Sequence, residues 1–214
     1  MSDEPSIGVG PHTEPWPLDA RLDPELLAEG DRRNVIDRYR YWRLDAIVED
    51  LDTRRHPFHV AIENWEHDRN IGTVVRTANA FLAAEVHIVG RRRWNRRGAM
   101  VTDRYQHIRH HQTIEELVAW AGETELPIWG VDNLPGAEPV ETADLPERVM
   151  LLFGQEGPGL SDEARAAVAR TLSIAQFGST RSINAGVAAG IAMHAWIRAH
   201  ADLGDRVATD TVVE

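Results

Sequence analysis

The spacing of apolar residues predicts one helix near the amino end of the chain. Between residues 32 and 52, apolar side chains recur at intervals of three and four, as on one face of an amphipathic helix. Two adjacent stripes are formed by Val35, Tyr39, Trp42 and Ala46 and by Leu44, Ile47 and Leu51. The proline-rich residues 1–31 predict an irregular acidic segment, and Pro57 ends the helical pattern.

After Pro57, short apolar strands alternate with helices. The pattern predicts strands at 58–63, 85–90, 127–131, 149–153 and 171–175. It predicts helices at 70–83, 113–121, 161–170 and 182–200. This alternation is typical of an α/β domain with a mostly parallel sheet and helices on both faces. We expect a short N-terminal helical extension over 1–56, the α/β domain over 57–200 and a tail over 201–214.

The last predicted helix is apolar enough to be compared with a membrane span. Ile183–Ile197 has no full charge, but its fifteen residues fall short of the roughly 20 that a span needs. Its many Gly and Ala residues suit close packing against backbone or a partner helix. We expect a buried helix and no membrane association.

The composition narrows the class of protein. The 214 residues suit one compact domain with a short appendage, and the absence of cysteine excludes disulfides, thiolate catalysis and cysteine-based metal centres. The acidic amino end lacks a basic segment followed by an apolar one. This pattern predicts a cytoplasmic protein.

The net charge of −11 conceals a segregation of charge along the chain. Residues 1–31 carry −7 and residues 112–214 carry −10, whereas residues 32–111 carry +6 and seven of the ten histidines. All 23 basic residues are arginine, whose planar fork suits phosphate, although a GC-rich genome would also favour arginine over lysine. The basic block indicates a nucleic-acid partner that the net charge hides.

Three polar, glycine-containing segments follow predicted strands, at the edge of a parallel sheet where ligands bind. They are ENWEHDRNIGTVVRTANA at 63–80, FGQEGPGL at 153–160 and SIAQFGSTRSIN at 173–184. In the first, Asn70 and Arg76 can face one cleft, or they can be a helix cap and a solvated arginine.

The second segment takes a tight backbone course, because it holds three glycines and a proline. It matches neither the dinucleotide fingerprint nor the Walker loop, and the chain has no lysine. Glu156 would repel phosphate and suits a hydroxyl, an amine or an arginine; an exposed Glu on a structural turn is the alternative. In the third segment Ser182 can be a plain N-cap, and no G-x-S-x-G elbow supports a nucleophilic role.

A fourth segment, RRRWNRR at 91–97, is the centre of the basic block. Guanidinium groups contact phosphates while Trp94 can stack on a base, although a solvated charged loop is the alternative. The candidate RNA-binding arginines are Arg91, Arg92, Arg93, Arg96 and Arg97. The histidines at 107, 110 and 111 have poor ligand spacing, so we expect no metal.

These segments resemble, in order, the three motifs of the SpoU-type, TrmH-like RNA ribose 2′-O-methyltransferases of the SPOUT superfamily. Residues 70–81 (NIGTVVRTANAF) are similar to motif one, 151–161 (LLFGQEGPGLS) to motif two and 173–196 (SIAQFGSTRSINAGVAAGIAMHAW) to motif three. The resemblance covers about residues 58–200. It implies methyl transfer from S-adenosylmethionine to a ribose 2′-hydroxyl of tRNA or rRNA, with S-adenosylhomocysteine as product.

The resemblance also implies a deep trefoil knot that binds the cofactor, and a homodimer. Gly154, Ile174 and Ile183 match positions whose backbone holds the cofactor. The residues that match the family's polar site are Asn70, Arg76, Glu156, Ser182 and Asn184. Arg76 would activate the 2′-hydroxyl. Because a guanidinium keeps its proton, Arg76 could instead bind phosphate and stabilise the developing alkoxide.

The sequence departs from several relatives in having only about 57 residues, which begin with an acidic lead, before the first strand. Residues 32–52 and the arginine segment are therefore our candidates for RNA docking. Two other functions stay open: an RNA-binding module without turnover, and a nucleotide-dependent oxidoreductase, which the missing dinucleotide fingerprint disfavours.

Overall fold

The structure is a computed structural model that describes residues 8–66 and 70–205. The chain divides into two compact units. One contains the described residues up to Thr53 together with those from Gly204 onward, and the other is Arg54–Leu203. The second unit contains all three motif segments, so it carries the candidate chemistry.

Two predictions for the first unit are wrong. One is the single helix over 32–52, and the other is the wholly irregular course of the acidic segment over 1–31. The unit contains helix α1 at Pro24–Glu29, a 3₁₀ turn at Asp37–Tyr39 and helix α2 at Leu44–Asp52. The predicted helix is interrupted because the fully buried Asp31 carboxylate accepts hydrogen bonds from the Arg33 side chain and from the Tyr41 N–H. Tyr41 has a φ of 63°, a conformation that no α-helix contains.

The charge on Asp31 persists in spite of its burial. Burial by itself would raise the pKa of this carboxyl, but the hydrogen bonds from Arg33 and from the Tyr41 backbone outweigh it and lower the pKa to about 2. A buried ion pair of this kind fixes a turn that hydrophobic spacing does not reveal.

The second unit contains one sheet of seven parallel strands in the order β3-β2-β1-β6-β4-β7-β5. The strands are β1 His59–Asn64, β2 Val86–Gly90, β3 Ile108–His111, β4 Ile128–Val131, β5 Glu138–Pro139, β6 Met150–Phe153 and β7 Arg170–Ser173. The helices are α3 Ile71–Ala80, α4 Ile114–Glu123, α5 Asp162–Ala167 and α6 Ala185–His200, with 3₁₀ turns at Arg96–Ala99 and Thr102–Arg104. The predicted α/β class with a parallel sheet is confirmed.

Alternate residues along the strands supply two apolar cores. Val60 and Ile62 of β1 pack in one core with α3 and α6, whereas Ala61 packs in the other with α4 and α5. Helices therefore cover both faces of the sheet, as predicted.

The five predicted strands are present, with ends that differ by at most two residues, but β3 and β5 were not predicted. The edge strand β3 reads Ile-Arg-His-His, a composition with too few apolar residues to indicate a strand. In the part of the chain that the structure describes, no helix is both long and apolar enough to cross a membrane.

Candidate active site

A cavity of about 390 Å³ lies at the carboxyl ends of the neighbouring strands β6, β4 and β7. Its wall comes from residues 131–134 at the end of β4, residues 153–159 at the end of β6, Arg165 of α5 and seven residues between 174 and 188 at the start of α6 and before it. Because adjacent parallel strands end at the same edge of the sheet, segments far apart in sequence meet there. The volume falls within the roughly 300–1,000 Å³ of small-ligand pockets.

The motif-two loop has room for backbone only. The two sides of this loop are joined by two backbone hydrogen bonds of 3.1 Å, in which Gln155 and Gly159 each donate an N–H to the other's carbonyl. A Cβ on Gly154 would overlap the Gly159 backbone, and Gly159 itself has a φ of 74°. The glycines that the sequence marked as a tight turn are therefore required for the loop that forms one wall of the cavity.

A chain of side-chain hydrogen bonds joins the three motifs. The Asn70 Nδ2 donates to Glu156 Oε2 at 2.9 Å, and the Asn184 Nδ2 donates to Asn70 Oδ1 at 2.9 Å. Asn70 is buried, so its amide orientation is fixed by partners on both sides. Motif one thus contributes the residue that connects motifs two and three.

Asn184, and not Ser182, caps the last helix. Its Oδ1 accepts hydrogen bonds from the N–H groups of Gly186 and Val187 at 3.0 and 3.2 Å, and α6 begins at Ala185. The N-cap role considered for Ser182 is therefore wrong. Ser182 is exposed and lines the cavity.

Most predicted site residues surround the cavity. The lining includes Gly154, Glu156, Ile174, Ser182, Ile183 and Asn184, and Asn70 reaches it through Glu156.

Arg76 does not line the cavity; it lies on the exposed side of α3, six residues after Asn70. Helix α3 approaches α6 closely, since a Cβ on Gly186 would come 3.1 Å from the Thr73 methyl carbon.

Among the cavity residues that sequence reasoning missed are Asp132 and Asn133, which follow β4. Asp132 Oδ2 accepts from the Leu160 N–H at 3.0 Å, which holds the end of the motif-two loop. The Asn133 Nδ2 donates to the Arg181 carbonyl at 2.8 Å, which holds the motif-three loop. Their position after an apolar strand was the only available signal, because they belong to none of the motifs.

The arginine segment is attached to the amino end of α3. A Cβ on Gly72 would lie 2.7 Å from both the Gly98 Cα and the Ala99 nitrogen, so the 3₁₀ turn that ends the segment packs on motif one through glycine. The buried Asn64 at the end of β1 donates to the carbonyls of Arg91 and Arg93 at 2.6 and 3.0 Å.

The side chains of this segment face solvent, except that Trp94 is half-buried against the core. The Arg96 guanidinium lies 5.6 Å from the Trp94 ring centroid and 3.4 Å from the Asp103 carboxylate. The five exposed guanidinium groups are thus presented by an ordered backbone beside motif one.

A separate histidine chain crosses three neighbouring strands, with His59 the first residue of β1, His87 the second of β2 and His111 the last of β3. His59 Nδ1 and His87 Nε2 are 3.0 Å apart, and His87 Nδ1 and His111 Nε2 are 2.9 Å apart. Burial lowers the pKa of His59 to about 4, helped by the charges of Arg148 and Arg109, and lowers the pKa of His87 to about 2. His59, Glu85 and His87 have potential ligand atoms within 4.8 Å of one another, but the Arg109 guanidinium already pairs with Glu85 at 3.1 Å. The expectation of no metal stays a prediction.

Comparison with known proteins finds RNA methyltransferases among the relatives of this chain. The chain is 26% identical over 155 residues to the tRNA (guanosine(18)-2′-O)-methyltransferase of Escherichia coli, covering 71% of this chain and 68% of that protein. It is 31% identical over 163 residues to an uncharacterized tRNA/rRNA methyltransferase of Mycolicibacterium vanbaalenii, covering 72% and 51%. The crystal structure of an AdoMet-bound rRNA methyltransferase from Sinorhizobium meliloti superposes with a TM-score of 0.60 at 26% identity, covering 69% and 59%. The chain thus spans about half to two thirds of the length of these relatives.

The parallel sheet, the cavity at its carboxyl edge and the three connected loops define an α/β protein with a small-ligand site. Residues 57–194 match the model of the SpoU rRNA Methylase family, and the chain belongs to that family. The resemblance predicted from the three motifs is confirmed. So is the predicted class, an S-adenosylmethionine-dependent RNA methyltransferase.

Proposed function

We propose that this protein transfers a methyl group from S-adenosylmethionine to a ribose 2′-hydroxyl of tRNA or rRNA. The observation that carries the proposal is the Glu156–Asn70–Asn184 chain, which assembles all three motifs beside one cavity. The named activities of the relatives support ribose as the acceptor and RNA as the substrate.

The residues of the cavity fit this cofactor. We assign the backbone of Gly154, Ile174 and Ile183 to its adenine and ribose, where the loops allow a ligand to approach main chain. The lining carries the carboxylates of Asp132 and Glu156 together with the Arg165 guanidinium, a mixture that suits a ligand with both a cationic group and a carboxylate. Bound S-adenosylmethionine supplies a methyl group activated by its sulfonium, and the reaction leaves S-adenosylhomocysteine.

The polar residues are assigned to orienting the acceptor and its proton. Asn70, Ser182 and Asn184 offer hydrogen-bonding groups that position the ribose hydroxyl. Arg76 binds an RNA phosphate and stabilises the developing alkoxide, while water or Glu156 accepts the proton, because a guanidinium remains charged. The exposure of Arg76 suits a group that meets RNA laid across α3.

RNA docking is assigned to the basic surface beside motif one. The side chains are those of Arg91, Arg92, Arg93, Trp94, Arg96 and Arg97, and residues 32–52 of the N-terminal extension over 1–56 also contact RNA. The methyltransferase domain is assigned to 57–200, which the family match at 57–194 supports.

The predicted knot, homodimer and cytoplasmic location belong to the same proposal. Strand β6 lies between β1 and β4, and the loops after β6 and β7 share one cavity, which suits a chain that passes through its own loop. Ile183, Val187 and Ile191 are exposed at four-residue spacing along α6 and its approach, so they form an apolar stripe that a second copy would cover.

The activity is tested by incubating the protein with methyl-labelled S-adenosylmethionine and RNA from cells that lack it. Digestion of the RNA to nucleosides should place the label in 2′-O-methylnucleosides. Cofactor binding without any transfer to tRNA or rRNA would instead support the RNA-binding module. Label in the bases would contradict ribose methylation.

A further inference from the structure

We propose that Phe177 is a stacking platform for an unpaired RNA base at the rim of the cavity. This role rests on the proposed methylation of RNA. It adds a contact to a base, whereas the residues assigned above meet phosphate, ribose or cofactor.

Phe177 is an aromatic side chain without a protein environment. The residue is 98% exposed, more than any other large apolar residue in the described part of 54–203. At the next residue, Gly178, an added Cβ would meet no atom within 4 Å. The tip of the motif-three loop therefore projects into open space.

The loop that carries Phe177 is anchored on both sides. The Ala175 N–H donates to the Glu141 carboxylate at 3.0 Å, and the Arg181 carbonyl accepts from Asn133 at 2.8 Å. Gln176, directly before Phe177, lines the cavity, as does Ser182 after the tip. The ring is thus presented at the rim of the cavity by a short, tethered loop.

The surroundings of the ring favour a nucleotide base over a protein surface. Residues 178–181 read Gly-Ser-Thr-Arg, and all four are exposed. An aromatic ring among polar groups with an arginine nearby is the combination that binds unpaired bases, by stacking on the ring and pairing a phosphate with the cation. The apolar stripe that we assign to a second copy begins only at Ile183, beyond these four exposed residues.

The test compares Phe177→Ala and Phe177→Tyr with the unaltered protein. The probe is a fluorescein-labelled RNA hairpin with a seven-nucleotide loop, and a fully paired duplex of the same stem is the second ligand. Because Phe177→Ala loses one stacked base, its affinity for the hairpin should fall by roughly 5- to 140-fold. Phe177→Tyr keeps an aromatic ring and should retain the affinity. Duplex affinity and the Kd for S-adenosylmethionine should not change. Val118→Ala, at another exposed apolar residue on α4, is the matched control.

Two results would overturn the assignment. One is unchanged hairpin affinity in Phe177→Ala under conditions where the unaltered protein binds the hairpin. The other is a change in sedimentation coefficient, which would show that a second copy of the chain covers the ring. Failure of the proposed function is seen separately, as absence of methyl transfer and of cofactor binding by the unaltered protein.

Discussion

At the residue scale, Gly154 sets the shape of the motif-two loop. A side chain at this position would overlap the Gly159 backbone, so Gly154→Ala must displace the loop. We expect at least a tenfold increase in the Kd for S-adenosylmethionine, measured by calorimetry. The matched control is Gly122→Ala in α4, where a Cβ meets no atom within 4 Å. This control should leave the Kd unchanged and raise stability slightly. Equal Kd values for both variants would contradict the steric argument.

For Asn70, the effect of a substitution on turnover follows from its hydrogen-bond partners. Asn70→Asp replaces the N–H that donates to Glu156 by an oxygen, and two charged carboxylates cannot keep this 2.9 Å contact. Because a hydrogen bond to a charged group contributes about 1.5–3 kcal/mol, we expect kcat to fall by roughly ten- to a hundredfold.

The control for Asn70→Asp is Gln112→Glu, the same exchange of an amide for a carboxylate at an exposed residue that does not line the cavity. A variant Asn70→Asp with full kcat would show that the link between motifs one and two has no part in turnover.

The residues of the site could be predicted from sequence only where a motif contains them. Glu156 and Asn70 are 86 positions apart, and nothing local to either residue indicates that they bond. Asp132 was missed for the same reason: its partner is the backbone of Leu160, which only the folded sheet brings near. The tight turn at Gly154 could be predicted, because the glycines and the proline that form it are close together in the sequence.

At the element scale, the histidine chain across β1, β2 and β3 links stability to pH. Each N···N contact needs one donor and one lone pair, which three neutral imidazoles supply. The unfolded chain takes up protons near pH 6.5, whereas the folded His59 does so only at about 4. This contribution to the free energy of unfolding is complete above pH 6.5 and is lost as pH falls towards 4.

We therefore expect His59→Gln to flatten the pH dependence of stability. Urea denaturation at pH 7.5 and 5.0 should show about 1–2 kcal/mol less loss in the variant than in the unaltered protein. His194→Gln, at an exposed histidine on α6, should behave like the unaltered protein. Parallel curves for all three proteins would refute the linkage.

Elements with regular periodicity were predictable, and those fixed by single polar contacts were not. The apolar strands β1, β4 and β6 are apparent from the sequence because they are buried on both faces. The helix predicted over 32–52 failed because the buried Asp31 holds Tyr41 in a turn. Strand β3 was missed because its buried His111 pairs with His87 of β2, and of its four residues only Ile108 packs against the apolar core.

At the scale of the whole molecule, the positive and negative charges of the chain lie in different segments, and each segment suits a different ligand. The basic block carries motif one and the arginine segment, and the acidic carboxyl-terminal part carries the loops that surround the cavity. An anionic RNA and a cationic sulfonium have opposite requirements, so a net charge of −11 is compatible with RNA binding.

We expect RNA affinity to depend on salt through the arginine segment. Replacing its five arginines by glutamine should weaken binding and flatten the plot of log K against log salt by roughly 0.7–0.9 per lost phosphate contact. The control, Arg170→Gln with Arg198→Gln, removes exposed positive charge elsewhere and should leave the slope near that of the unaltered protein. An unchanged slope in the five-arginine variant would place RNA on another surface.

The account depends most on ribose methylation that requires Arg76. The direct measurement is a map of 2′-O-methylation across all tRNA and rRNA in cells with the protein, without it, and with Arg76→Ala in its place. We predict a ribose methyl group that disappears on deletion, returns with the unaltered protein and stays absent with Arg76→Ala. Maps that do not differ on deletion, or full restoration by Arg76→Ala, would contradict the account.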